Sequence, residues 1–265
     1  MTDPHLSHKA ALLSSLHIPG DPLIVTNVWD PVTARIVAGA KGVRALATAS
    51  HAVSFAHGVP DNEGLSIDQA LESARLIAAA VSLPVSVDFE KGYAPDAAGV
   101  QHNVARLIEA GAAGLNIEDS LHSAGGALRG LEDSIARVGA ARRAADEAGI
   151  PLAINARVDS LVSNPADWAG AMTRANSYLD AGATSIFMLR LPTEGLVERA
   201  VREVNGPLSV ISNPTSVPLK KLAELGVARV SFGPGVLGLT LAHLQQAAAQ
   251  LTALGDYPDE LGFEY

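Results

Sequence analysis

The sequence predicts an α/β chain folded as a (β/α)8 TIM barrel, and three observations predict it. Short apolar runs rich in Val, Ile and Leu alternate with amphipathic, alanine-rich segments along the 265 residues. The runs are apolar almost throughout, as in strands of a parallel sheet covered on both faces. A phrase also recurs, a helix end followed by a glycine and then a strand: "IEAGAAGLNIE", "LDAGATSIFML" and "AELGVARVSFG". Glycine is the usual residue just past a helix, and in compact α/β units the next strand follows closely. About eight such units in a chain of this length suit one barrel over residues 1–265, with a doubly wound open sheet as the competing layout.

In order, the candidate strands run from Leu23 to Trp29, Arg44 to Ser50, Pro84 to Glu90 and Gly114 to Asp119. They continue from Pro151 to Asp159, Ser185 to Arg190, Pro207 to Asn213 and Arg229 to Gly235. Between them lie helical patterns such as "SIDQALESARLIAAAV", with Ser66 placed to cap its start, and "LEDSIARVGAARRAADEAG". The stretch "DSLHSAGGALRG", Asp119 to Gly130, is the longest without obvious structure. Loops of that length are often active-site lids.

Composition narrows the function classes. A hydrophobic content of 48% supports a sizeable core. A formal net charge of −9 argues against nucleic acid and anionic membranes as partners. The absence of cysteine excludes disulfides, thiolate metal sites and a cysteine nucleophile. "MTDPHLSHKA" lacks the apolar core of a signal peptide, and no apolar run reaches the roughly 18 residues of a spanning helix. The expectation is a cytoplasmic protein.

In a barrel, reactive groups gather at the C-terminal ends of the strands. Those ends carry Asp30, Ser50, Asp88, Glu90, Glu118, Asp119, Arg157, Asp159, Arg190 and Asn213, whereas the N-terminal ends carry mostly Pro, Gly and Leu, with Arg44 and Arg229 as exceptions. In "PVSVDFEKGY" an extended chain would aim Asp88 and Glu90 the same way. Two such carboxylates repel unless something positive lies between them. Glu118, from the next strand, would make a trio suited to a hard divalent cation: Mg2+, with Mn2+ as the alternative ion. The competing reading has single acids capping a following helix or pairing with Lys91.

"VSVDFEKGY", then "GLNIEDS", then "INARVDS" resembles the isocitrate lyase/phosphoenolpyruvate mutase superfamily from about "NVWDP" to "RVSFGPG". The resemblance implies a Mg2+-dependent barrel enzyme. Such an enzyme binds a 2-oxo acid and makes or breaks a C–C or P–C bond beside its carbonyl, through an enolate of pyruvate type. It implies metal roles for Asp88, Glu90 and Glu118, with Asp61 acting through water. It places Ser50 at the substrate's oxo and carboxylate oxygens and Arg157 at its anionic end. His51 and Asn213 are candidate substrate contacts, and His122 is a candidate proton donor or a solvated loop residue. The lyases of this superfamily carry a lid cysteine that this chain lacks, and the lid of the phosphonate enzymes is missing too. An oxaloacetate-like dicarboxylic substrate fits, with hydrolytic, decarboxylative and aldol-type cleavage open. A P–C enzyme and a non-catalytic 2-oxo-acid binder are the alternatives. The resemblance also implies a homodimer or homotetramer whose last helix, within Val236 to Leu254, exchanges between subunits.

Overall fold

The computed structural model describes residues 4–121 and 127–257. Helix α1 (Pro4–Ser15) precedes strand β1 (Leu23–Val25), which breaks at Thr26 and resumes as β2 (Asn27–Val28). Then come α2 (Pro31–Gly39), β3 (Leu46–Thr48), α3 (Ser50–Ala56), α4 (Ile67–Ala79), β4 (Val85–Asp88), α5 (Ala97–Glu109) and β5 (Gly114–Glu118). A hairpin, β6 (Ser120–Leu121) and β7 (Ala127–Leu128), leads into α6 (Leu131–Ala148). The chain continues through β8 (Ala153–Val158), α7 (Ser160–Ser163), α8 (Trp168–Asp180), β9 (Ser185–Met188) and α9 (Glu194–Glu203). It ends with β10 (Leu208–Ile211), α10 (Leu219–Glu224), β11 (Arg229–Ser231) and α11 (Gly235–Thr252).

The broken first strand closes the ring. Its first half, β1, pairs in parallel with β11, and its second half, β2, pairs in parallel with β3. The remaining strands pair in parallel in chain order, which makes a TIM barrel. Every predicted strand is present but trimmed at its ends. The recurring glycines behave as expected: Gly111, Gly182 and Gly226 follow α5, α8 and α10 with φ of +95°, +105° and +92°. A side chain would strain that left-handed backbone. Ser66 caps α4 in a reciprocal pair with Gln69.

Two expectations need correction. The stretch from Asp119 to Gly130 is not without structure, because β6 and β7 form an antiparallel stem. The Arg129 N–H donates to the Asp119 carbonyl at 2.8 Å and pins the two ends together. Residues 122–126, with His122 and the expected hinge, lie outside the described residues. The second correction concerns Glu90. β4 ends at Asp88, and Glu90 has φ of +46°. The chain has left the strand, so alternation no longer relates the two acids.

Among the described residues no helix is long and apolar enough to cross a membrane. In α11 Leu237 is buried, while Leu239 and Leu244 are 73% and 64% exposed.

Candidate active site

The C-terminal strand ends open onto a cavity of about 190 Å3. Ser50, His51, Asp61, Asp88 and Arg157 all line it. Five positions chosen from sequence therefore converge on one space, from the start of α3, the loop after it and the ends of two strands.

Asp88 stands at the end of β4. Its backbone N–H donates to Thr48 Oγ1 at 2.9 Å, which ties β4 to β3. Its Oδ2 accepts from the Ser50 N–H at 3.0 Å and from Ser50 Oγ at 2.8 Å. Ser50 opens α3, so its N–H is one that the helix itself cannot satisfy. Burial pushes the Asp88 carboxyl up from the usual carboxylate range. The Glu118 charge adds to this, while Ser50 and Arg157 oppose it.

Glu118 and Glu90 point elsewhere. Glu118 Oε2 meets Arg157 Nη1 at 2.7 Å. Arg157 also donates Nε and Nη2 to the two oxygens of Asp159, at 2.8 and 2.9 Å. Burial opposes the Arg157 cation, but Glu118 and Asp159 outweigh it and hold its pKa above the ordinary value. Glu90 accepts from the Glu63 N–H at 2.5 Å and the Tyr93 hydroxyl at 2.7 Å. Burial raises its carboxyl to about 7, against the pull of the Tyr93 hydrogen bond. Lys91 pairs with Glu63 at 3.4 Å and not with Glu90. Neither Glu90 nor Glu118 lines the cavity.

Among the described residues no three His, Asp or Glu side chains stand close enough to hold an ion as placed. The expected trio is thus not a ready-made ligand set, because each acid has its own partners. Asp61 is different. It faces the cavity with Asp88, and its Oδ1 is buried without a hydrogen-bond partner among the described residues. Its Oδ2 lies 3.4 Å from His51 Nδ1. Asp61 sits in a tight loop closed at Gly64, where a Cβ would come within 1.9 Å of the Pro60 carbonyl oxygen.

Asn213 does not reach the cavity. It is exposed, and its Oδ1 accepts from the Thr215 N–H and Oγ1 at 2.9 and 2.8 Å, capping its own turn. Asp30 likewise caps α2. Sequence reasoning missed Asn27, Asn116, Phe187, Ile211 and Ser231 in the lining. It also missed the loop residue Glu63, whose Oε1 accepts from the Tyr93 N–H at 2.8 Å and clasps the turn after β4. Behind the site, Asp119 accepts from the Asp159 N–H at 2.9 Å, the Tyr178 hydroxyl at 2.7 Å and Arg174 at 3.2 Å. It therefore fixes the backbone that carries the partner of Arg157.

Comparison with known proteins gives three kinds of match. A profile of the phosphoenolpyruvate phosphomutase family matches residues 13–252. An uncharacterized protein of Mycobacterium tuberculosis (strain ATCC 25618 / H37Rv) is 33% identical over 242 residues, 88% of this chain and 87% of its own. The oxaloacetate decarboxylase of Pseudomonas entomophila (strain L48) is 30% identical over 216 residues, 78% of this chain and 72% of its own. Among solved structures, a candidate phosphonomutase from Burkholderia cenocepacia J2315 has a TM-score of 0.87 at 37% identity, covering 92% of this chain and 100% of that one.

Proposed function

This chain belongs to the phosphoenolpyruvate phosphomutase family and is a lyase-type enzyme; on that premise we propose that it is a Mg2+-dependent cytoplasmic enzyme that cleaves a C–C bond beside the carbonyl of a 2-oxo dicarboxylic acid resembling oxaloacetate. The observation that carries the reading is the convergence of Ser50, Asp61, Asp88 and Arg157 on one cavity.

The residues present fit a hard cation. The cavity offers the carboxylate oxygens of Asp61 and Asp88, and the buried Oδ1 of Asp61, without a hydrogen-bond partner among the described residues, is a ligand atom, or an acceptor for a ligand's water, still unused. Asp88 and Asp61 would hold Mg2+, with Glu90 and Glu118 adding negative charge from outside the lining. When bound, Mg2+ supplies Lewis-acid polarisation of the substrate carbonyl.

The rest of the work belongs to the chain. Ser50 donates its N–H and hydroxyl to Asp88 at the helix start and so holds that carboxylate toward the cavity. Arg157 brings a cation held in place by Glu118 and Asp159, so its orientation needs no adjustment as charge develops on the substrate oxygen. Asp119, Tyr178 and Arg174 keep that clamp from shifting. Asn116 and Ser231 add neutral polar contacts in the lining.

A second reading, cleavage of a P–C bond, is favoured by the 37% identity to the candidate phosphonomutase. A panel of oxaloacetate, phosphonopyruvate, 2-methylisocitrate and 4-hydroxy-2-oxo acids, each with Mg2+ and with EDTA, separates the readings. Turnover of oxaloacetate that EDTA abolishes is expected. Preferred turnover of phosphonopyruvate selects the second reading, and turnover of none, with Mg2+-dependent binding retained, marks a non-catalytic binder.

The chain is also proposed to work as a homodimer or homotetramer. The support is α11, whose exposed Leu239 and Leu244 would be covered by a neighbouring subunit. A monomeric mass by light scattering at micromolar concentration would contradict this.

A further inference from the structure

Beneath the acids of the mouth lies a layer of neutral polar side chains joined by hydrogen bonds. Asn116 on β5 lies in register with Asp88 on β4 and with Asn155 on β8. It lines the cavity and is 7% exposed. Two donors meet its Oδ1: Asn155 Nδ2 at 2.8 Å and Arg229 Nη2 at 3.5 Å. Asn155 is itself held, because its Oδ1 accepts from Ser185 Oγ at 2.7 Å. No hydrogen bond among the described residues uses Asn116 Nδ2. Other donors in the lining are engaged within the protein: Ser50 donates to Asp88, and Asn27 Nδ2 donates to the Thr48 carbonyl at 2.9 Å.

The guanidinium decides which way Asn116 faces. An asparagine amide has an oxygen that accepts and a nitrogen that donates, and the two exchange places when it turns over. Asn155 and Ser185 accommodate either arrangement, because an amide and a hydroxyl both donate and accept. Arg229 does not, since a guanidinium has donors and no acceptor. It attracts Oδ1 and repels an N–H, so Oδ1 stays below and the N–H groups are left for the cavity. Arg229 is a destabilising residue to bury here. It is 1% exposed, and its Nε and Nη1 have no partner among the described residues. Such local violations of stability rules gather where a residue serves function.

Resting on the reading of this cavity as the site of a 2-oxo acid, we propose that Asn116 donates an N–H to a substrate oxygen and that Arg229, which does not line the cavity, is the positioning residue that fixes that donor. Asn116 is then the neutral counterpart of Arg157. It meets an oxygen on which negative charge gathers without adding a further cation beside the metal ligands. A donor aimed before the substrate arrives needs no reorientation as that charge develops. With the amide turned over, a carbonyl oxygen would face the substrate oxygen and repel it. Loss of Arg229 therefore weakens the site although Arg229 never touches the ligand.

Calorimetric titration of oxalate in Mg2+ tests both halves through a double-mutant cycle of Asn116→Ala and Arg229→Met. Asn116→Ala should weaken oxalate by about 10-fold or more, the weight of one hydrogen bond to a charged group. Arg229→Met should weaken it by about threefold or more with native-like melting, and by less than about twofold once Asn116 is already replaced. With whichever 2-oxo acid turns over, the loss in each single variant should fall on kcat, with KM within about threefold of wild type, because the donated bond strengthens as charge builds on the substrate oxygen. If Arg229→Met fails to melt cooperatively, Asn155→Asp takes its place in the cycle, since it sets an acceptor against Asn116 and turns the amide the same way. Wild-type affinity in Asn116→Ala, or an effect of the second substitution that is the same with and without Asn116, overturns the inference and leaves the 2-oxo-acid reading standing. No Mg2+-dependent binding of oxalate to wild type, with no turnover of any 2-oxo acid, overturns both.

Discussion

The mouth of the barrel and the layer beneath it both hold a buried arginine, and they treat it in opposite ways. At the mouth, Arg157 meets two carboxylates, Glu118 and Asp159, within 2.9 Å. Below it, Arg229 is 1% exposed, and Nη2 donates only to neutral oxygens: Ser86 Oγ at 3.2 Å and Asn116 Oδ1 at 3.5 Å. Its Nε and Nη1 have no partner among the described residues. Burial pulls its pKa down to about 10, and Asp88 opposes this from above. Nearby, burial and the Arg229 charge push His17 down to about 4, so it sits neutral. The difference teaches where charge is structural and where it acts at a distance. The mouth fixes a guanidinium by direct pairing, as a site that must orient a substrate requires. The lower layer embeds one in a neutral belt, where Asn155 Nδ2 donates to Asn116 Oδ1 at 2.8 Å and Ser185 Oγ donates to Asn155 Oδ1 at 2.7 Å.

Stability should separate the two arginines most strongly. Arg157→Met removes the cation that faces the buried Glu118 and Asp159 carboxylates, and is expected to cost about 3–5 kcal/mol in urea unfolding. Arg229→Met removes a desolvated cation along with two weak hydrogen bonds, so losses and gains offset and stability should stay within about 1 kcal/mol of wild type. Equal losses in the two variants would erase the comparison.

A smaller effect distinguishes the acids at the mouth. The folded protein keeps the Glu90 proton up to about pH 7, whereas the unfolded chain loses it near 4.5. Between those values the native state binds more protons, so this group's contribution to stability falls as pH rises. Glu90→Gln does not titrate. Measured in EDTA, its stability relative to wild type should improve from pH 4.5 to 7.5, by about 3 kcal/mol at most at ~1.4 kcal/mol per pH unit of displacement. A difference constant with pH would contradict the burial of that carboxyl. The smallest effect is expected at Asn213. Because it caps its own turn, Asn213→Ala should leave kcat/KM within about twofold of wild type, a change below 0.5 kcal/mol in barrier.

The eight barrel staves were legible because each is a short apolar run, at least three of them after a helix-ending glycine, and that pattern survives single-residue errors at the boundaries. Ser50, Asp88 and Arg157 were legible because strand ends in a barrel face one space. Glu90 was misread because alternation holds only while the chain stays extended, and the left-handed turn begins one residue too early. Asn213 was misread because position at a strand end says nothing about whether a side chain turns back on its own loop. The pairing of His51 with Asp61 links the first turn of α3 to the loop that follows the helix, a contact that no sequence periodicity encodes. The neutral belt did leave a trace: "VSVD", "GLNIE", "AINAR" and "LSVI" each carry one small polar residue inside an apolar strand. Those residues point inward together, and the apolar average of each strand hides them.

The central claim is that Asp88 anchors a metal-assisted site for the head of a 2-oxo acid. Calorimetric titration of oxalate into wild type and Asp88→Ala, each with Mg2+ and with EDTA, tests it most directly. The account predicts binding to wild type that needs Mg2+ and vanishes with EDTA, and no binding to Asp88→Ala in either condition while its circular dichroism and melting remain native-like. Oxalate binding to Asp88→Ala with wild-type affinity and the same dependence on Mg2+ would contradict it.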